Sequence, residues 1–406
     1  MEVVVEVGAG LDVHKKTVVV CCLDGRSTPT NVIRRSFGTF RHQLEQLRDW
    51  LVELGCTSVA MESTGVYWVP VYRILEGHMD IVLGNARHMA NVPGRKTDVN
   101  DAQWIAQLLR YGLIRRNFVP SRAIIDLRKL TRLRRKLIQM RSSAQLRVDK
   151  LLQMANIKLT SVASELFGVS GRLMLDALAK GWTNPQALAE LSRGRLRKKR
   201  AELLEALSGT FTTDDAKLLD VQLRLIDQIE ARLVELMEMI ETKVIPHEPI
   251  LQRLDTVPGI NRIIAIEILA ETGGDMTPWP NQHQFAAWCG VCPGNRESAG
   301  KRKRARTREG RPAMKSILAQ AATSAALVHG SYLATRYRGV RARRGDRYAT
   351  IVIAHELAVS LYFIIKREQD YQPPALADPQ LVRTHRQRKL IRDLERLGYL
   401  VTCTER

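Results

Sequence analysis

The stretch VVVEVGAGLDVHKKTVVVCCLDG, residues 3–25, decides how the N-terminal part of the chain is read. Val3–Val7 and Thr17–Leu23 are β-branched runs, and Asp24-Gly25 supplies a turn after the second. The spacing predicts two strands with Asp12 between them. Working outward, Asn31–Phe37 is a weaker third strand. Phe40–Leu54 repeats Leu44, Leu47, Leu51 and Leu54 at three or four residues, which predicts a helix. Thr57–Met61 reads as a short apolar strand, Val66–Leu75 as a helix and Asp80–Leu83 as a strand. A helix follows from about Asp98 to Tyr111. Three strands followed by alternating helix and strand match the order of a ribonuclease-H-like fold, so residues 1–120 are expected to form an α/β domain.

From Ala123 to Ala155 there is no Gly or Pro, and Leu130, Leu133, Leu137, Met140, Ala144 and Leu151 follow a heptad-like seam interrupted by Arg147. A second such stretch, Asp214 to Val244, repeats Leu219, Leu223, Ile226, Ile229, Leu233, Leu236 and Ile240. The first is basic (Arg128, Arg132, Arg134, Arg135, Lys136) and the second acidic (Asp214, Asp215, Asp227, Glu230, Glu235, Glu238). Opposite charge beside two apolar seams predicts antiparallel pairing, within the chain or between protomers; two separate surface helices are the alternative. Residues 121–249 are thus expected to be a helical coiled-coil linker region and 250–366 a mainly α-helical domain. Residues 367–406 form a basic tail with Pro373-Pro374 and a helix near Thr384–Leu397.

The 406 residues hold 63 Lys and Arg against 42 Asp and Glu, a formal net charge of +21. That excess selects a polyanionic partner, nucleic acid first and an anionic membrane surface second. No uninterrupted apolar run reaches the ~18 residues of a spanning helix. Met1–Val7 carries two glutamates and no basic segment, unlike a secretory signal. Six scattered cysteines do not resemble a disulfide framework, and a reducing cytoplasm is the expected compartment.

Four acids stand out. Asp12 lies in Gly10-Leu11-Asp12-Val13, Glu62 ends an apolar strand, and Asp98 and Asp101 are three apart on one helix face. All are hard oxygen donors suited to Mg²⁺, which keeps water and phosphate oxygens as further ligands. Two such ions about 4 Å apart stabilise both the attacking and the leaving oxygen at phosphorus. Singly, each acid also reads as a turn residue or a helix cap, Asp98 above all because it follows Thr97.

The segment FAAWCGVCPGNRESAGK, residues 285–301, is dense in Gly and Pro and reads as a loop after a helix. Ser298 is followed by the small Ala299 and Gly300, which leave room for a large group at its hydroxyl. Lys301, Arg302, Lys303, Arg304, Arg306, Arg308 and Arg311 follow. They would neutralise phosphates around a serine attacking DNA; a solvated basic loop with an ordinary serine is the alternative. Upstream, Val257-Pro258-Gly259-Ile260 introduces an apolar helix. Its Gly259 either offers backbone N–H groups to a phosphate or makes a tight turn between core helices. Cys289-x-x-Cys292 lacks a second ligand pair for zinc, and His355-Glu356 lacks the second histidine of a zinc protease.

Several motifs together resemble the insertion sequence 110 family of transposases, relatives of the pilin-gene (Piv-type) invertases. They are Gly10-Leu11-Asp12-Val13-His14-Lys15, Met61-Glu62-Ser63-Thr64-Gly65, Lys96-Thr97-Asp98-Val99-Asn100-Asp101-Ala102, Pro258-Gly259-Ile260, Phe285–Gly290 and Pro293–Lys301. The resemblance covers most of residues 8–365. It implies a RuvC-like domain whose DEDD metal set is Asp12, Glu62, Asp98 and Asp101. A coiled-coil linker and a C-terminal transposase domain with Ser298 as nucleophile would follow. Many relatives carry Ser/Thr-Ser/Thr-Gly-Gly where this chain has Glu297-Ser298-Ala299-Gly300, which leaves one hydroxyl here. Also implied are Mg²⁺, donor and target DNA, a structured non-coding guide RNA that bridges them, and homodimers joining into a homotetramer. The expected reaction is cleavage and rejoining through a covalent phosphoserine. A RuvC-like nuclease or junction resolvase with a structural Ser298 is one alternative, and a non-enzymatic nucleic-acid-binding protein is another.

Overall fold

The computed structural model describes residues 2–63, 65–85, 88–89, 101–294, 297–298, 301–302, 307, 310–374, 387, 391–392, 394–396 and 398–402, with only the backbone at 297–298 and 301–302. It divides into two compact units, Met1–Val119 and Pro120–Arg406.

The first unit holds β1 (Val7–Val13), β2 (Thr17–Asp24), β3 (Asn31–Gly38), α1 (Arg41–Glu53), β4 (Ser58–Glu62), α2 (Trp68–Leu75), β5 (Asp80–Gly84) and α3 (Asp101–Arg110). The sheet order is β3-β2-β1-β4-β5. The first three strands are antiparallel, and β4 and β5 run parallel to β1. This mixed sheet is consistent with the expected ribonuclease-H-like fold.

One face packs Leu11, Val59 and Met61 against Leu44, Leu47 and Leu51 of α1 and Val71 and Leu75 of α2. On the other face Ala60 and Val82 meet Ile105, Leu108 and Leu109 of α3, and Cys21 and Leu23 meet Ala102 and Ala106.

The first strand is displaced from its expected position. Val3 and Val4 are exposed, and Val4 and Val5 donate their N–H groups to the Arg110 carbonyl at the end of α3, at 2.9 and 3.2 Å. The β-branched run therefore ties down a helix end. The strand itself uses the glycine-rich Val7–Val13, which intrinsic propensity disfavours. Asp12 consequently stands within β1, opposite Val19, and not between two strands.

The second unit opens with α4 (Arg122–Met154), followed by α5 (Leu159–Val162), α6 (Val169–Ala179), α7 (Pro185–Glu190), α8 (Arg200–Leu207) and α9 (Thr213–Val244). Then come α10 (Glu248–Asp255), α11 (Arg262–Thr272), α12 (Gln282–Trp288), the hairpin strands β6 (Glu297–Ser298) and β7 (Lys301–Arg302), α13 (Pro312–Ala326), α14 (Tyr332–Arg344) and α15 (Asp346–Arg367). In the tail the described residues 387, 391–392 and 394–396 are helical.

Helices α4 and α9 pack antiparallel within the chain, since Arg141 faces Glu230 at 3.5 Å and Arg147 donates to Gln222 at 3.1 Å. Their shared core is Ala144, Val148 and Leu152 with Leu219, Leu223 and Ile226. The seam on α4 is the expected one only in part: Ala144 lies in this core and Leu151 packs against it. Leu133 and Met140 are exposed, and the N-terminal half of α4 turns Ile124, Leu127, Arg128 and Thr131 inward instead. Charge also sorts differently. Four of the α4 arginines reach α11: Arg128 and Arg132 meet Glu271, and Arg134 and Arg135 meet Glu267. Of the acids of α9, Glu230 meets Arg141 of α4, whereas Asp227 pairs with Arg172 of α6 at 2.5 and 2.7 Å.

Helix α15 is long and apolar enough, by length and composition, to cross a membrane, but half of that window is buried. Ile353, Leu357, Leu361 and Tyr362 lie in the core, so it is the central helix of this end of the unit. It packs on α12, α13 and α14.

Candidate active site

The acidic edge of the first unit follows from the packing of β1. A Cβ built on Gly8 would meet Leu109 of α3 at 3.2 Å, and one on Gly10 would stand 2.1 Å from the Ala102 carbonyl oxygen and 2.3 Å from the Ala106 nitrogen. Helix α3 thus runs antiparallel along β1, with its backbone pressed onto Gly10 and its first residue, Asp101, toward the C-terminal end of the strand. Strand alternation places Asp12 on the same face as Gly8 and Gly10.

Glu62 reaches this end by register. The β1–β4 ladder is paired as far as Leu11 with Met61, and Asp12 and Glu62 are the next residue of each strand. Glu62 alternates with Ala60, which packs under α3, so it faces α3 as Asp12 does. Between β1 and β4 the connections turn from one side of the sheet to the other, a switch point where α/β sheets place their ligands. Asp12, Glu62 and Asp101 therefore share one face at one end of the sheet. Asp98 lies outside the described residues.

Asp12 keeps 23% of its side chain exposed, and its Oδ2 lies 3.0 Å from Nε2 of the exposed His14. The hydrogen bond holds the carboxylate at the strand end and brings the imidazole to the same edge. Beside Glu62, Ser63 donates its N–H to the Gly84 carbonyl at 2.9 Å and accepts from Asn117 Nδ2 at 2.8 Å. Among the described residues no three His, Cys, Asp or Glu side chains form a group that could hold a metal ion. Asp12, Glu62 and Asp101 share a face and an end of the sheet as hard oxygen donors, the kind that divalent cations take.

In the second unit, Ser298 pairs with Lys301 and Glu297 with Arg302 in a short antiparallel hairpin, where the sequence reads as a loop. Lys303, Arg304, Arg306 and Arg308 lie outside the described residues. The base of the hairpin is narrow and fixed. Pro293 bridges to Thr307, and a Cβ on Gly310 would stand 2.3 Å from the Gly290 backbone. Arg311 donates its N–H to the Trp288 carbonyl at 2.8 Å, and Lys315 Nζ reaches Thr307 Oγ1 at 2.6 Å.

Helix α12, from which the hairpin springs, is held in turn. Asn281 caps it by accepting from the Gln284 N–H at 3.0 Å, as expected of a side-chain cap. Trp279, Phe285 and Trp288 cluster with centroids 4.7 to 5.8 Å apart, Phe285 stacked on Trp288 and Trp279 edge-on to Phe285. The Tyr362 hydroxyl reaches the Trp279 and Pro280 carbonyls, both at 3.1 Å.

Two residues singled out in sequence have packing roles here. Gly259 adopts φ +88°, and a Cβ there would stand 2.4 Å from the Ala325 nitrogen, so α13 requires a glycine. Arg311 is not a free phosphate contact, because its Nε donates to buried Glu271 at 3.0 Å. Burial pushes the Cys289 thiol well above its ordinary pKa, which leaves it protonated and a poor metal ligand. Glu271 is the residue the sequence did not single out. The sequence carries no local signal for it, because its arginine partners on α4 lie more than a hundred residues away.

Comparison with known proteins places this arrangement. A family model described as Transposase, of the DEDD type of IS110, matches residues 9–157. One described as Transposase IS116/IS110/IS902 family matches residues 251–338, and together the two cover more than half of the chain. A probable family 20 transposase of Pseudomonas aeruginosa is 25% identical over 376 residues, spanning 90% of this chain and 98% of that relative. Fold and comparisons together define a DNA-processing enzyme. The chain belongs to the IS110 family of transposases.

Proposed function

We propose that this transposase cuts and rejoins DNA strands with Ser298 as nucleophile and Mg²⁺ as cofactor, directed by a structured RNA. The observation that carries the reading is the placement of Asp12, Glu62 and Asp101 on one face and at one end of the sheet, beside its switch point. With Asp98 they would hold Mg²⁺, which when bound supplies positive charge at a scissile phosphate. Asp12 is oriented for that task by His14. The hairpin, whose base is pinned at Gly290, Thr307 and Gly310, would present Ser298 to a scissile phosphate.

The Ser298 oxygen forms a bond to phosphorus as the bond from phosphorus to one deoxyribose oxygen breaks, and the serine proton passes to that leaving oxygen. The phosphodiester energy is kept in the serine ester, so rejoining needs no ATP. Serine is a weak nucleophile unless activated, and a basic loop around it favours the anionic substrate. The net charge of +21 suits an assembly that carries both DNA and RNA. Dimers joining into a tetramer belong to the same reading.

Incubation with element-end DNA and Mg²⁺, without ATP, tests it. Rejoined strands are expected; free hydrolysed ends alone would identify a nuclease or resolvase instead. Sequencing of RNA bound to the purified protein tests the guide, and a single structured species is expected.

A further inference from the structure

Glu271 lies in the last turn of α11 with its side chain 3% exposed. An isolated carboxylate in such a place would be neutral or absent. This one holds arginines from two directions. Arg132 Nε and Nη2 donate to Oε1 and Oε2 at 2.9 and 3.0 Å, and Arg311 Nε donates to Oε2 at 3.0 Å. Arg128 stands 3.6 Å away and gives its own donors to the Ala270 and Glu271 carbonyls at 2.9 and 2.8 Å. Burial pushes the Glu271 carboxyl up, but Arg132, Arg311 and Arg128 outweigh it and hold the group below the usual carboxylate range.

The arginines come from places of different meaning. Arg128 and Arg132 belong to the first turns of α4, the helix that begins directly after the link at Val119 and Pro120. Arg311 is the residue where the serine-bearing excursion rejoins the helical core. Its N–H is bound to the Trp288 carbonyl, and its guanidinium lies 5.9 Å from the Trp288 ring. One carboxylate therefore fastens the base of the hairpin to the helix by which the chain enters this unit. Glu267, one turn earlier on α11, is a built-in contrast. It pairs with Arg134 and Arg135 of α4 and has no contact with the hairpin among the described residues.

We propose that Glu271 is a positioning residue: through Arg311 it fixes the base of the Ser298 hairpin, and through Arg128 and Arg132 it ties that base to α4. Its effect on catalysis rests on the reading of Ser298 as nucleophile, whereas the anchoring does not.

Hydrogen exchange on the full-length protein separates the two. The variants are Glu271→Gln, Arg311→Lys and Glu267→Gln, each checked by thermal melting, with strand joining and DNA binding measured alongside. Arg311 keeps 30% of its side chain exposed, so Arg311→Lys retains the charge and the fold even if Glu271→Gln does not. Loss of a charge-assisted bond is worth about tenfold or more, and exchange at the Ser298, Lys301 and Thr307 amides should rise by that factor in Glu271→Gln and Arg311→Lys. Strand joining should fall with DNA affinity unchanged, and Glu267→Gln should leave the hairpin amides as they are. Wild-type exchange at the hairpin in Arg311→Lys, or equal loosening in Glu267→Gln, would overturn the proposal. Loosening with strand joining intact, both here and in Ser298→Ala, would leave the anchoring standing and remove the serine from the reaction.

Discussion

Gly10 of β1 and Ala102 of α3 meet backbone to backbone: a Cβ on Gly10 would stand 2.1 Å from the Ala102 carbonyl oxygen. Because the obstacle is main chain and not a flexible side-chain tip, the helix must move to admit a methyl group. Gly10→Ala is expected to cost upward of about 2 kcal/mol by overpacking. It should also shift Asp101 away from Asp12, so DNA cleavage falls further than the melting temperature explains. Urea unfolding and cleavage assays check this, and a fully active Gly10→Ala would show that the contact does not set the site.

The α4–α9 pair makes a sharper contrast. Leu152 and Leu219 are buried in the shared core, whereas Leu133, on the seam that the sequence suggests, is half exposed. Leu152→Ala or Leu219→Ala should cost about 2–5 kcal/mol, and Leu133→Ala within roughly 0.5 kcal/mol of nothing. Chemical denaturation of the three variants gives the comparison. Equal losses would restore the heptad reading.

Acid stability follows from Glu271. Its pKa in the folded protein lies below that of a free glutamate, held there by Arg132, Arg311 and Arg128 against the opposing effect of burial. Folding therefore favours the ionised form. The stabilisation is complete above the unfolded value, about 4.3, and is lost as pH falls through the lower folded value. Wild type should lose stability below about pH 5 more steeply than Glu271→Gln, as the linkage relation requires. Parallel pH titrations of the melting temperature would contradict this.

DNA affinity should fall steeply with salt, because a chain of charge +21 releases counterions when it binds. Removing arginines already committed to carboxylates, Arg134 or Arg135, should leave the slope of log affinity against log salt unchanged. Replacing two of Lys301, Lys303 and Arg304 should lower its magnitude by about one to two. No change in slope would place the DNA on another surface.

The strand order of the first unit was legible because alternation and leucine spacing are local signals. Glu62, at the end of a short apolar strand, could be located from them alone. The start of β1 was not legible. Val3–Val5 has the better strand composition, but only Gly8 and Gly10 let α3 approach, and that need appears only when helix and strand meet in space. The pairing of α4 with α9 was readable from two glycine-free stretches, as was the seam on α9, while the N-terminal half of the α4 seam and most of the charge pairing were not. Heptad spacing cannot tell that the first turns of α4 pack on α11, or that Glu267 and Glu271, more than a hundred residues away, are where its arginines end. The hairpin at Ser298 was hidden for a similar reason. Two-residue strands carry no periodicity, and the close pairing of Gly290 with Gly310 joins positions far apart in sequence.

The central claim is that Ser298 becomes covalently joined to DNA in a reaction that also requires Asp12. Its most direct test is mass spectrometry of protein trapped on 5′- and 3′-labelled element-end DNA in Mg²⁺. The account predicts a nucleotide adduct on the peptide carrying Ser298, absent in Ser298→Ala and in Asp12→Ala. An adduct that persists in Ser298→Ala, or full adduct yield in Asp12→Ala, would contradict it.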